Sequence, residues 1–184
     1  MNSNQRDTWN LGWYPASVAN YAVAHRPASN PITLVIIHVA QGSFTSVINL
    51  FQNPSANVSS HYIVRSSDGF IAQSVREQDI ARHAGNPSYN QTSIGVEHEG
   101  YVDDPTSLTD AMYRSSAKLV ASLVYKYGIL VDRRHIIGHD EVPHPRKPGQ
   151  YGGVSGHRDP GLYFDWEKYM GYIYAFLDGP PHSP

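Results

Sequence analysis

The chain contains no cysteine. This excludes disulfide cross-links, thiolate metal ligands and a thiol nucleophile, and it fits either a reducing compartment or an exposed protein that avoids oxidisable thiols. Charge is scarce as well, with 16% of residues charged and a formal net charge of −2. Such a balance gives no basic face for nucleic acid and no polybasic anchor for a membrane surface. Long apolar runs are also missing: none approaches the roughly 20 residues of a membrane helix. The amino-terminal stretch MNSNQRDTWN has no apolar signal core. No integral membrane segment is expected.

What is present suits one globular domain, because 184 residues with 40% hydrophobic content can bury a sizeable core but leave no room for a second one. Residues 1–31 show little periodicity and include Pro15, Pro27 and Pro31, so they read as an extended arm packed on the domain and pinned by Trp13 and Tyr14. The domain itself is expected over 32–178, with 179–184 as a flexible tail. Tyrosine is frequent, at 13 against 5 Phe. A flat apolar ring with a hydroxyl tip suits contact with a polar polymer, and it suits the amphipathic edge of a core equally well.

The run ITLVIIH ends at His38 and is continuously apolar, the pattern of a central strand buried on both faces. A short helix is expected from Phe44 to Gln52, ending before Pro54. HYIVRS and FIAQSV flank Ser67-Asp68-Gly69, which reads as a hairpin. In SIGVEHE, Ile94 and Val96 alternate with Gly95, Glu97 and Glu99, so the second set lies on a face that can carry chemistry. The clearest helix runs from Asp110 to Tyr127, with Thr109 as N-cap, Gly128 at C′ and an apolar stripe of Met112, Leu119, Val120, Leu123 and Tyr127. A last helix from Trp166 to Leu177, capped by Asp165, is expected to bury Trp166, Tyr169, Met170, Ile173, Tyr174 and Leu177. Strands and helices in this order make an α/β fold around a mixed sheet.

Ten histidines remain to be explained. His25, His135, His144 and His182 fall in loops, arm or tail and read as solvated. His38 and His139 each close an apolar run, and a Gly/Pro-rich loop leads from His139 to His157-Arg158-Asp159-Pro160. Zinc in a hydrolase takes three His or Asp/Glu ligands and keeps a fourth position for water, so His38, His139 and Asp159 are a candidate set. Spacing alone does not single them out, because a core histidine and a turn-forming Asp have the same local signature.

The surrounding blocks add to this. VIIHVAQGS (35–43), SSHYIVRSSDGFIAQSV (59–75), HAG (83–85), SIGVEHEG (93–100), IIGHDEVP (136–143) and HRDPGLYFDW (157–166) occur in an order that resembles the zinc-dependent N-acetylmuramoyl-L-alanine amidases of the type 2 amidase and peptidoglycan-recognition-protein superfamily, over residues 32–177. The resemblance implies a central mixed sheet flanked by helices with a zinc groove on one side. It also implies Zn²⁺ on His38, His139 and Asp159, Glu97 as the proton shuttle and His157 as a donor to the carbonyl oxygen of the scissile amide. His61 and Arg65 fall in a block that lines the peptide groove in relatives, although His61 reads equally as a core histidine or one supporting a ligand and Arg65 as a surface charge; His83, in the HAG block, is a further candidate substrate contact. Two departures stand out: His157 lies where many relatives carry Lys, and Arg82 where many carry Trp, free there to pair with a substrate carboxylate or to face solvent. The partner implied is peptidoglycan, cleaved between N-acetylmuramic acid and L-alanine by a monomer. The place of action implied is the cell-wall space or exterior, or the cytoplasm until phage-type lysis. A non-catalytic recognition module and a zinc peptidase acting within the stem peptide are the competing readings.

Overall fold

The computed structural model describes residues 10–178. The expected tail and His182 therefore lie outside the described residues, as does the start of the expected arm. Eight strands and four α-helices alternate along the described chain: β1 (Leu11–Trp13), β2 (Tyr21–Ala22), β3 (Leu34–Val39), α1 (Phe44–Gln52), β4 (Tyr62–Val64), β5 (Ile71–Gln73), β6 (Ile80–Ala81), α2 (Pro87–Thr92), β7 (Ser93–His98), α3 (Asp110–Tyr127), β8 (Ile136–Gly138) and α4 (Trp166–Leu177). Six strands form one sheet in the order β1-β5-β4-β7-β3-β8, and β2 pairs with β6 apart from it. The sheet is mixed: β3 runs parallel to both β7 and β8, whereas β4 and β5 form the antiparallel hairpin.

β3 reads as a continuous apolar run because both its faces are covered. Val35 and Ile37 join Ile94, Val96 and Ile136 against α3 and α4, where Met112, Leu123, Tyr169 and Ile173 fill the layer. Ile36 faces the other way, with Ala84, Ile137 and Val142. Beside that second face, α1 packs Phe44, Val47 and Phe51 on Ile63 and Ala72. The helix ends follow their capping residues: Ser43, Thr109 and Asp165 each accept a hydrogen bond from a first-turn backbone N–H. In α4 the buried set is Tyr169, Met170 and Ile173, whereas Tyr174 is exposed and donates its hydroxyl to the Val131 carbonyl. No helix among the described residues is long and apolar enough to cross a membrane.

The described part of the expected arm is built into the fold. β1 pairs in parallel with β5 at the sheet edge, β2 pairs with β6, and Tyr14 packs edge-on against Phe44 and Phe70. Trp13 is half exposed, with the Arg76 guanidinium over its ring. Arg26 goes deepest. Buried at 4% exposure, its guanidinium donates to the backbone carbonyls of Asn90, Gln91, Ser93, Glu77 and Asp79 and lies 2.8 Å from His61 Nε2. Burial lowers its pKa to about 10. A buried cation stays only where acceptors replace its water, and these carbonyls do so.

Candidate active site

Three neighbouring strands deliver the chemistry to one edge of the sheet. Registration of β3 with β7 sets His38 beside Glu97, and β8, on the other side of β3, ends at Gly138 one residue before His139. The 3₁₀ turn His139–Glu141 then redirects the chain. Its Asp140 N–H donates to the Asp159 carbonyl at 2.8 Å, which draws the far end of the 144–158 loop back to the turn. The loop is held at its middle by the HAG turn, where Val154 N–H donates to Gly85 O at 2.9 Å. Gly153 has φ +62°, and a Cβ there would sit 2.4 Å from Ala84 O, so only glycine allows this approach. His157 N–H closes the loop on Gly152 O.

His38, His139 and Asp159, all buried, converge. His38 Nδ1 lies 3.1 Å from His139 Nδ1 and 3.2 Å from Asp159 Oδ2, and His139 Nδ1 lies 3.3 Å from Asp159 Oδ1. Ligand bonds of about 2.0–2.1 Å arranged tetrahedrally have edges of about 3.3 Å, so the three groups hold the spacing of one face of a zinc tetrahedron. The donor set agrees, since two imidazoles and a carboxylate supply two neutral ligands and one anion. Burial, then the neighbouring His139, lowers the His38 pKa to about 4, which favours the neutral ring a metal requires. Burial opposes ionisation of Asp159, yet hydrogen bonds from His139, His157 and His38 outweigh it and hold the carboxyl far below its usual range.

Glu97 is partly buried, and its Oε2 is a buried atom with no hydrogen-bond partner. Burial, then the negative charge of Asp159, holds its carboxyl well above the ordinary carboxylate range. A carboxyl that readily holds and releases a proton suits general acid–base work. Glu99, on the same strand face, is committed elsewhere: its two oxygens accept from Phe44 N–H and Ser66 N–H, both at 2.8 Å. His157 is half exposed, stacks on the His139 ring at 4.3 Å and places Nδ1 3.5 Å from Asp159 Oδ1.

Of the three residues expected as substrate contacts, His61 and His83 are buried and Arg65 is exposed. His61 is fully buried: Gly95 N–H donates to its Nδ1, and Arg26 and the Asp79 carbonyl surround its Nε2. His83 is buried too, with Nδ1 3.0 Å from His38 Nε2 and Nε2 3.2 Å from Ser93 Oγ. The two rings pack edge-on against each other, and only His83 touches His38. Arg65 remains at the surface, paired with Asp68 and lying over Phe44 and Phe70, and no contact among the described residues joins it to the cluster. Arg82 donates to Ala19 O and to the Asn57 side chain, so it ties the amino-terminal segment down. Asn86 caps α2, and Asn90 Oδ1 accepts from His83 N–H and Ala84 N–H.

Sequence reasoning missed His98. Its Nδ1 lies 2.9 Å from the His38 carbonyl, its Nε2 lies 2.7 Å from Ser116 Oγ, and that hydroxyl lies 2.7 Å from Tyr169 OH. Period-two alternation puts His98 on the Ile94/Val96 face, so a histidine at a core position was the available signal.

The profile of the N-acetylmuramoyl-L-alanine amidase family matches residues 28–161. The chain is 40% identical over 168 residues to N-acetylmuramoyl-L-alanine amidase A of Achromobacter lyticus, covering 88% of this chain and 92% of that protein. It is 34% identical over 122 residues to 1,6-anhydro-N-acetylmuramyl-L-alanine amidase AmpD of Haemophilus influenzae, covering 63% of this chain and 59% of that one. The crystal structure of a selenomethionine AmpD derivative superposes with a TM-score of 0.68 at 26% identity, over 94% of this chain and 99% of that chain.

Proposed function

From the premise that this chain belongs to the N-acetylmuramoyl-L-alanine amidase family, we propose that it hydrolyses the amide between N-acetylmuramic acid and L-alanine in peptidoglycan, with His38, His139 and Asp159 holding zinc. The observation that carries this reading is the convergence of those three ligand atoms, at tetrahedral spacing, on the sheet edge that also presents Glu97. A recognition module that only binds would not need a carboxyl at that place with a free buried oxygen.

Zinc bound there supplies Lewis acidity, polarising a carbonyl oxygen and acidifying a water. The chain's own residues do the rest. Glu97 takes a proton from the attacking water through its unpartnered Oε2 and passes it to the leaving amide nitrogen, whose departure as an amine requires it. Burial favours a neutral His38, and its hydrogen bonds keep Asp159 ionised, so the carboxylate brings one negative charge to the cation. His157 faces solvent beside the cluster and offers a ring N–H to the oxygen on which charge grows as water adds. A cell-wall substrate supports action in the wall space, reached by export or by lysis.

Release of soluble stem peptide from purified peptidoglycan tests the reading. Release should stop on treatment with a chelator and return with added zinc. Retention of the protein on the wall with no release would favour the recognition module.

For His157, replacement by Ala is expected to lower kcat by about 10²–10³-fold, the loss typical of one oxyanion donor, while zinc content and melting temperature stay near wild type. His157→Lys should recover part of the loss, since an ammonium also donates at that place. If Ala instead lowers zinc occupancy and Lys rescues nothing, His157 only supports the turn before Asp159.

A further inference from the structure

We infer that His83 is a positioning residue for the metal centre: with Ser93 and the Tyr89 carbonyl it forms a one-way hydrogen-bond chain that holds His38 in the tautomer whose Nδ1 is a bare lone pair. This deepens the proposed function and rests on it, because it takes His38 as a zinc ligand.

The direction of the chain is fixed from its far end. A backbone carbonyl can only accept, and Ser93 Oγ lies 2.6 Å from Tyr89 O, so the hydroxyl proton points there. Ser93 then has only lone pairs for His83 Nε2 at 3.2 Å, and that nitrogen must carry a proton and donate it. In a neutral imidazole the remaining nitrogen accepts. His83 Nδ1 therefore receives the proton of His38 Nε2 at 3.0 Å, and His38 Nδ1 is left without one, facing His139 Nδ1 and Asp159.

Without this chain the other tautomer would win. Asp159 Oδ2, 3.2 Å from His38 Nδ1, attracts a proton to that nitrogen, and a protonated Nδ1 cannot bind a cation. The chain acts against that pull by demanding the proton on the opposite nitrogen. Its setting keeps water from substituting for any member: His38, His83 and Ser93 are 2%, 8% and 0% exposed. It is also built on rigid parts. Ser93 begins β7, the backbone of His83 is held by Asn90 Oδ1, and the ring lies over Gly95, where a Cβ would come within 2.6 Å of His83 Cγ. The bare backbone of Gly95 is thus what makes room for the ring beneath the ligand.

Two measurements on the whole chain test this. Long-range ¹H–¹⁵N NMR of the metal-free protein should find His38 protonated at Nε2 in wild type and shifted toward Nδ1–H in Ser93→Ala and in His83→Leu. A competition titration with zinc should show His83→Leu binding about 10–100-fold more weakly, the usual loss when the partner of a ligating histidine is removed. His83→Gln should recover most of the affinity, since its amide can accept from His38 and donate to Ser93. Thermal melting separates these effects from misfolding, and Ser93→Ala serves if His83→Leu does not fold. Protonation of His38 at Nδ1 in wild type, or equal zinc affinity in wild type and in a folded His83→Leu, would overturn the chain. If wild type binds no zinc at all, the proposed function fails, while the tautomer measurement still decides the direction of the chain.

Discussion

His139→Ala should leave a folded protein that binds zinc more than about 100-fold more weakly, because losing even an outer partner of a ligand costs roughly 10–100-fold and this change removes the ligand itself. The reason lies in the spacing. His38 Nδ1 and Asp159 Oδ2 would remain 3.2 Å apart, two corners of a coordination face that needs three. Hydrolysis should fall with zinc occupancy. Folding should suffer little, because His139 sits in a surface-proximal turn whose backbone is held by Gly138, Glu141 and Asp140 through bonds that do not use its ring. The ring's Nε2 has no hydrogen-bond partner to lose. Elemental analysis of the purified variant beside its turnover settles the matter: full zinc content with full activity would mean that the metal is held elsewhere.

Glu97→Gln should keep both the fold and the zinc and lose about 10²–10⁴-fold in kcat, the usual contribution of a positioned acid–base group. Gln has the shape of Glu but cannot carry a proton between water and amine. Stability should change little, since Glu97 makes no ion pair among the described residues and one of its oxygens has no partner to lose. Wild-type turnover in this variant would remove Glu97 from proton transfer. Glu99 would be a poor replacement, because it is fixed between the N-terminus of α1 and Ser66.

The parts of the fold that could be read in advance are those whose pattern is long or locally closed. β3 showed itself by six consecutive apolar or ligand residues, and α3 by its Thr109 cap and its apolar stripe. The alternation in β7 separated Glu97 from the Ile94/Val96 core face, and that prepared its assignment. Short elements escaped. β1, β2 and β6 have two or three residues each, too few to show a period, and α2 has six residues with none buried. They exist because of partners far away in the chain, as β1 does through β5.

The site was legible in its ligands and less so in what lies under them. His38, His139 and Asp159 are 101 and 20 residues apart in sequence, so their meeting depends on the parallel pairing of β3 with β8 and on a loop anchored at Gly85. Only the order of surrounding blocks pointed to it. His61 could be read as a groove contact or as a core histidine with equal weight, and His83 as a contact from its place in the HAG turn. Their burial depends on Arg26 reaching five carbonyls from an unpatterned segment and on Gly95 giving up its side-chain volume, and neither has a local signature.

If a carboxyl and a three-ligand metal face act together, they cut one amide bond, the one that joins the sugar to the first residue of the stem peptide. Mass spectrometry with amino-terminal labelling of the fragments released from purified peptidoglycan tests it most directly. New amino groups should appear on L-alanine alone, and the glycan strands should stay intact. New amino groups within the stem peptide, or none in a zinc-loaded preparation, would contradict it.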